Sequence, residues 1–226
     1  MKLPIWLVDL SIAALLIALA SALVILLDIF LKKRQMMSVM KWVWPVTALY
    51  MGPFAIWAYR AMQLAPDASQ QSHQKKMQQP FWQIVFKGVT HCGAGCTLGD
   101  IVGEWAIFWM GTTIAGIALW PEYIVDYVLA YVLGIIFQYF AIAPMRHLGL
   151  KDGVIAAIKA DTLSLTAFEV GLFGWMALTS FVFFHHQLYP DSPVYWFMMQ
   201  IGMVIGFATS YPMNWWLISS GIKEKM

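Results

Sequence analysis

The sequence predicts an all-α fold, a polytopic transmembrane bundle of about six spans in a single domain over residues 1–226, and three observations carry that expectation. Hydrophobic residues make up 61% of the 226 and charged residues only 12%, where an ordinary soluble domain is roughly a quarter charged. Apolar runs recur at about the 20 residues a helix needs to cross the hydrocarbon layer. Between them lie short turns that gather Pro, Gly, Lys and Arg.

Taken in order, span one covers residues 5–30. It is too long for a signal peptide, carries Asp9, and meets Lys32, Lys33 and Arg34 instead of a small-residue cleavage site, so it reads as a retained helix. Span two covers 39–59 and is interrupted by Pro45, Gly52 and Pro53, breakers that leave it either a bent crossing or a re-entrant segment. Residues 60–80 form a polar cytoplasmic loop with Gln70, Gln71, His73, Lys75 and Lys76. Apolar character then runs from 81 to 120, an interfacial lead-in followed by span three, with Pro121 as its end. Span four covers 124–142, span five 162–184 after a lead-in at 155–159, and span six 195–218.

Lys and Arg in short loops stay on the cytoplasmic side. Six crossings from a cytoplasmic N-terminus put Lys32, Lys33, Arg34 and Lys41 outside, against that rule; a re-entrant second segment with the N-terminus outside removes the conflict. Both topologies place 70–87 inside and 185–193 outside. The expected location is a bacterial cytoplasmic membrane, with the lipid bilayer as the principal partner and a membrane-protein partner or a second copy of the chain as further ones. A net charge of +2 without a basic, aromatic-interleaved stretch excludes nucleic acid. No P-loop, nucleophile elbow, dinucleotide fingerprint or HExxH zinc site occurs, which disfavours soluble-type enzyme classes.

The most informative stretch is 91–104, which holds both cysteines. On a helix, Cys92, Cys96, Asp100 and Glu104 follow at four-residue steps along one stripe. Gly95, Gly99 and Gly103 form a second row beside it, the small-residue pattern that admits another helix backbone. Two thiols suit a soft ion, copper(I) above zinc or iron. His91 serves as an auxiliary ligand only if the helix start is unwound, because it points about 100° from Cys92. The alternatives are that both cysteines fill a crowded interface as compact apolar groups, or that they exchange redox equivalents as a membrane thiol oxidoreductase.

Carboxylates at membrane depth are costly and mark ion or proton pathways. Asp100, Glu104 and Glu169 are the candidates, Glu169 joining Thr162 and Thr166 on a polar face; helix-gluing hydrogen bonds are the other reading. Asn214 lies on a span-six face with Gln200, Met203, Phe207 and Tyr211. His185 and His186 fall in a short loop where solvation is the simpler account.

The segments Val43-Trp44-Pro45, Leu49-Tyr50-x-Gly52-Pro53, His91-Cys92-x-x-Gly95-Cys96-x-x-Gly99-Asp100 and Tyr211-Pro212-Met213-Asn214-Trp215-Trp216 together resemble a bacterial family of polytopic membrane proteins catalogued as a domain of unknown function. The resemblance extends over nearly the whole chain and brings no reaction or substrate with it. It implies an association with copper-handling proteins. The functional expectation is therefore an integral membrane protein that binds or transports a soft metal ion, copper, through Cys92, Cys96 and His91, with Asp100, Glu104, Glu169 and Asn214 linked to proton or ion movement. A non-catalytic assembly protein and a thiol oxidoreductase are the competing expectations.

Overall fold

The computed structural model describes residues 3–33, 36–63 and 80–224. Most of the expected polar loop, and Arg34, lie outside them. Helices α1 (Ile5–Leu31), α2 (Met40–Met51), α3 (Pro53–Gln63), α4 (Phe81–Met110), α5 (Leu119–Arg146), α6 (Leu150–Leu178) and α7 (Pro193–Ser219) account for nearly all of the described residues, and a π-helical turn at Thr179–Phe183 extends α6. Among the described residues there is no strand.

Three helices, Ile5–Leu31, Leu119–Pro144 and Leu150–Phe183, are long and apolar enough to cross a membrane. Helices α4 and α7, with 30 and 27 residues, have the length, about 40 Å at 1.5 Å per residue. Their faces carry more polar groups, which they bury within the bundle.

The second apolar segment departs most from the expected six crossings. Helix α2 runs through Pro45 and stops at Gly52, whose φ of 54° places it in the left-handed region open to glycine. Pro53 then opens α3. Trp44 and Tyr59 are fifteen positions apart, about 22 Å along a straight helix, yet their ring centroids are 5.8 Å apart. The chain has folded back on itself. Tyr59 also donates to Asp28 Oδ2 at 2.8 Å, in the last turn of α1, so the end of α1, the beginning of α2 and the end of α3 share one level. Gln200 of α7 donates to Leu49 O at 2.7 Å and anchors the tip of this hairpin against the bundle.

Helix boundaries elsewhere correct two further expectations. Helix α4 is continuous, without a separate interfacial lead-in, and ends at Gly111 (φ 60°) instead of at Pro121. Pro121 sits in the first turn of α5, where a missing N–H costs nothing.

The core is made by two closely packed pairs, α4 with α5 and α6 with α7. The small-residue row explains the first. A Cβ added at Gly95 would stand 2.8 Å from Gly134 Cα, and one at Gly99 2.6 Å from Ala130 Cα. In the second pair a Cβ at Gly206 would meet Phe168 O at 2.7 Å, and one at Gly171 would meet Gly206 Cα at 3.0 Å. Helix α2 packs on α4 and α7, while α1 lies outside against α2, α3 and α7 and exposes Leu16, Leu19, Leu23 and Leu27.

Candidate functional site

Polar side chains from α4, α5, α6 and α7 meet in the seam between the two helix pairs. From Gly88 to Glu104 the row follows α4 for about 24 Å, most of the thickness of a hydrocarbon core.

At the end where α4 begins, Lys223 reaches inward from the segment after α7. Its ammonium donates to Asp161 Oδ1 at 3.1 Å, Gly88 O at 3.3 Å and Ser164 Oγ at 3.4 Å. Asn214 lies beside it and donates to Ser164 Oγ at 2.6 Å and Ser210 Oγ at 2.9 Å. Ser210 in turn donates to Ser164 O at 2.8 Å, tying α7 to α6. Proximity to Ser164 and Ser210 thus accounts for the buried amide on α7.

The middle of the row holds the thiols. Cys92 and Cys96 are both free and fully buried, and Cys96 lies within interaction range of Cys92, Glu169 and Asp100. Tyr50, near the tip of the α2–α3 hairpin, approaches the same place: a Cβ at Gly93 would meet its hydroxyl at 2.8 Å. Thr97, one position on from Cys96, donates to Gly93 O at 2.7 Å and contacts Met203 Sδ at 3.6 Å.

Further along, Asp100 faces Glu169 and Glu104, and Glu104 meets Asp126 of α5 and Tyr195 of α7. Gly103 makes this approach feasible, because an added Cβ would collide with Asp126 Oδ1. Two neighbouring carboxyls can hydrogen-bond only if one carries a proton, since a carboxylate has acceptors alone. The row ends at Glu122, which receives both of its hydrogen bonds from Gln187 Nε2, at 2.9 and 2.8 Å. Gln187 opens on a cavity of about 370 Å³ lined also by Ser180, His185 and His186.

The expected ion-linked residues Asp100, Glu104, Glu169 and Asn214 therefore all point into one seam, 0–2% exposed. The expected metal ligands are arranged differently. Helix α4 is regular through His91, and the ring turns to Phe137 on α5 with centroids 6.2 Å apart. Among the described residues, no three His, Cys, Asp or Glu side chains form a group able to hold a metal ion. His185 and His186 satisfy local carbonyls, Nδ1 to Phe181 O at 3.1 Å and Nδ1 to Phe184 O at 2.7 Å. The expected polar face of α6 is split: Thr162 and Thr166 pair with Tyr131 and Tyr127 of α5 at 3.0 and 2.9 Å, while Glu169 turns to the centre.

Sequence reasoning passed over Glu122, Asp126, Gln138, Asp161, Tyr195 and Lys223, all buried. The four-residue spacing of Glu122 and Asp126 was the available signal for two of them. Several acceptors in the seam, both oxygens of Asp100, Asp126 and Glu169 included, have no hydrogen-bond donor among the described residues.

Helices of membrane length enclose a buried acidic row, an all-α arrangement whose fold alone assigns no activity. The chain belongs to the family described as Domain of unknown function (DUF4396), whose model matches residues 81–223. That stretch contains α4 to α7 and thus almost the whole row; the segments around Pro45 and Gly52 fall outside it. Neither a curated protein nor a solved structure matches the chain.

Proposed function

We propose that the protein is a cytoplasmic-membrane protein that lets a cation, in the simplest case a proton, step along the acidic row. The observation that supports this most is an imbalance among the described residues: six buried carboxyl groups (Asp100, Glu104, Glu122, Asp126, Asp161, Glu169) against two buried lysines (Lys87, Lys223). Ionised carboxylates at membrane depth cost about 2.5–3.5 kcal/mol each on insertion scales. Four without a counter-charge would cost on the order of 10 kcal/mol, as much as a domain's whole stability. The row must therefore hold protons or other cations. Asp100 and Glu104 are one helical turn apart, about 6 Å, and Asp126 and Glu169 flank them, so a proton released by one has an acceptor at hand in the next.

In this reading α1 and α4 to α7 give five crossings, and α2–α3 is a re-entrant hairpin. The N-terminus is then outside, and Lys32, Lys33 and Lys41 join the other cytoplasmic basic residues. Non-helical backbone at membrane depth is tolerated where it is packed in protein, and Leu49 and Tyr50 before the Gly52 turn pack against α7 and α4.

The test is proton flux into liposomes holding the purified protein, driven by a potassium diffusion potential and read by an internal pH dye. Flux above empty liposomes is expected, falling about tenfold in Asp126→Asn or Glu169→Gln, the effect of ~1.4 kcal/mol on a barrier. Flux equal to that of empty liposomes defeats the proposal.

One arrangement favours a second reading, in which the cargo is a soft metal. Cys92 and Cys96 are free, adjacent to Glu169, and one position from the Thr97–Met203 contact. Such sulfur donors suit copper(I), and wild-type protein loaded anaerobically should retain about one equivalent that Cys92→Ala/Cys96→Ala loses. Equal retention by both sinks this reading. A reversible Cys92–Cys96 disulfide without metal or flux points to thiol exchange, and tolerance of every substitution points to packing.

A further inference from the structure

Lys223 is the more deeply buried of the two lysines, 1% exposed, although it lies beyond the end of α7. The backbone explains how it enters. Gly221, with φ 75°, turns the chain, and the N–H groups of Ile222 and Lys223 both return to Leu217 O at 3.0 Å. The side chain is thereby aimed back between α4 and α6. The stem packs beside Gly88, where an added Cβ would stand in ordinary contact with Lys223 Cε at 3.9 Å. Beside it Glu224 pairs with Arg146 at the end of α5, fastening the same segment across the mouth of the seam.

The oxygens around the ammonium are a carboxylate, a backbone carbonyl and a hydroxyl, a set that would equally suit a small hard cation. Asp161 Oδ2 and Asn214 Oδ1, in the same place, have no hydrogen-bond donor among the described residues. The site therefore has more acceptor capacity than Lys223 uses.

We infer that Lys223 is a tethered cation that closes the inner end of the row, occupying at Asp161 the position a travelling cation takes. This rests on the reading of the row as a cation path. Withdrawing the ammonium leaves Asp161 buried and unpaired, which is strongly unfavourable, so the segment swings out when another cation takes its place. Passage at this end is an exchange.

The native thiol Cys92 lies one turn beyond Gly88 and reports on that closure without any introduced probe. In the full chain carrying Cys96→Ala, reaction of Cys92 with a small cationic methanethiosulfonate from the cytoplasmic side should be slow. Lys223→Ala should speed it about tenfold. Lys223→Ala/Asp161→Asn, which leaves no unpaired charge and guards against misfolding, should do the same. Added methylammonium should restore protection to Lys223→Ala and leave the double variant reactive, because only the former retains the vacated carboxylate. Slow reaction in both variants overturns the inference. So does fast reaction that methylammonium never slows, which would make the lysine a packing element. Proton flux on the same preparations separates the two ideas: labelling that rises without flux in any variant counts against the path, and flux with unchanged labelling counts against Lys223.

Discussion

Gly99→Val tests whether the contact of α4 and α5 is the frame on which the row is built. A Cβ at Gly99 would lie 2.6 Å from Ala130 Cα, where carbon atoms pack comfortably at about 3.5–4.0 Å. The shortfall is roughly 1 Å before the two valine methyls are counted, and the obstructing atoms are backbone, which cannot rotate aside. Overpacking of this kind costs about 1–3 kcal/mol and sometimes more. At ~2–4 °C per kcal/mol for a chain of this size, the melting midpoint in detergent should fall by about 5–10 °C. Gly174→Ala is the control: no atom lies within 4 Å of the added methyl, so its midpoint should hold or rise slightly with the better helix former. A Gly99→Val midpoint equal to that of Gly174→Ala would refute the claim that the helix backbones touch.

Other outcomes follow from the same geometry. Gly103→Ala should push the Asp126 carboxyl off α4 and lower proton flux about tenfold with little change in melting; unchanged flux would detach that carboxyl pair from function. Cysteines placed at Lys32 and Arg60 should react with an impermeant reagent from the same side of the membrane, because α2 and α3 fold back; opposite sides would restore a crossing. Asn214→Leu deprives Ser164 and Ser210 of a shared donor, and a buried acceptor left unsatisfied costs about 1–3 kcal/mol, which should appear as a lower melting midpoint; an Asn214→Leu midpoint equal to that of wild type would show the triad contributes nothing.

How far the sequence could be read depended on how local each signal was. The stripe of Cys92, Cys96, Asp100 and Glu104 beside the glycine row was legible because one helix sets both spacings, and the structure buries both as that periodicity requires. Gly52 and Pro53 were legible as a break, but not as a reversal: the direction of the chain after a break is decided by contacts such as Trp44 with Tyr59 and Tyr59 with Asp28. Asp161, between the lead-in at 155–159 and the span that begins at 162, and Lys223, after the last span, carry no local sign of burial, and the ion pair that buries them joins positions far apart in sequence. Glu122 follows Pro121 and resembles an ordinary acidic first turn. Only the arrival of Gln187 from a distant loop reveals it as an end of the row. His91 was the reverse case, chemically suggestive in sequence and turned to Phe137 by a helix that stays regular.

The close approach of backbones within α4–α5 and within α6–α7 divides the bundle into two stiff planks. Helix surfaces held together at glycine cannot slide without collision, whereas the seam between the planks is held by side chains: hydrogen bonds, the Tyr123–Phe173 ring stack at 4.2 Å, Lys223 on Gly88 O and the Arg146–Glu224 ion pair. Asp100, Glu104 and Asp126 belong to one plank, Asp161, Glu169 and Asn214 to the other. Parting the planks like the covers of a book would leave each of them intact and would separate Glu169 from Asp100 at the centre, so the acidic row is continuous only while the covers are shut.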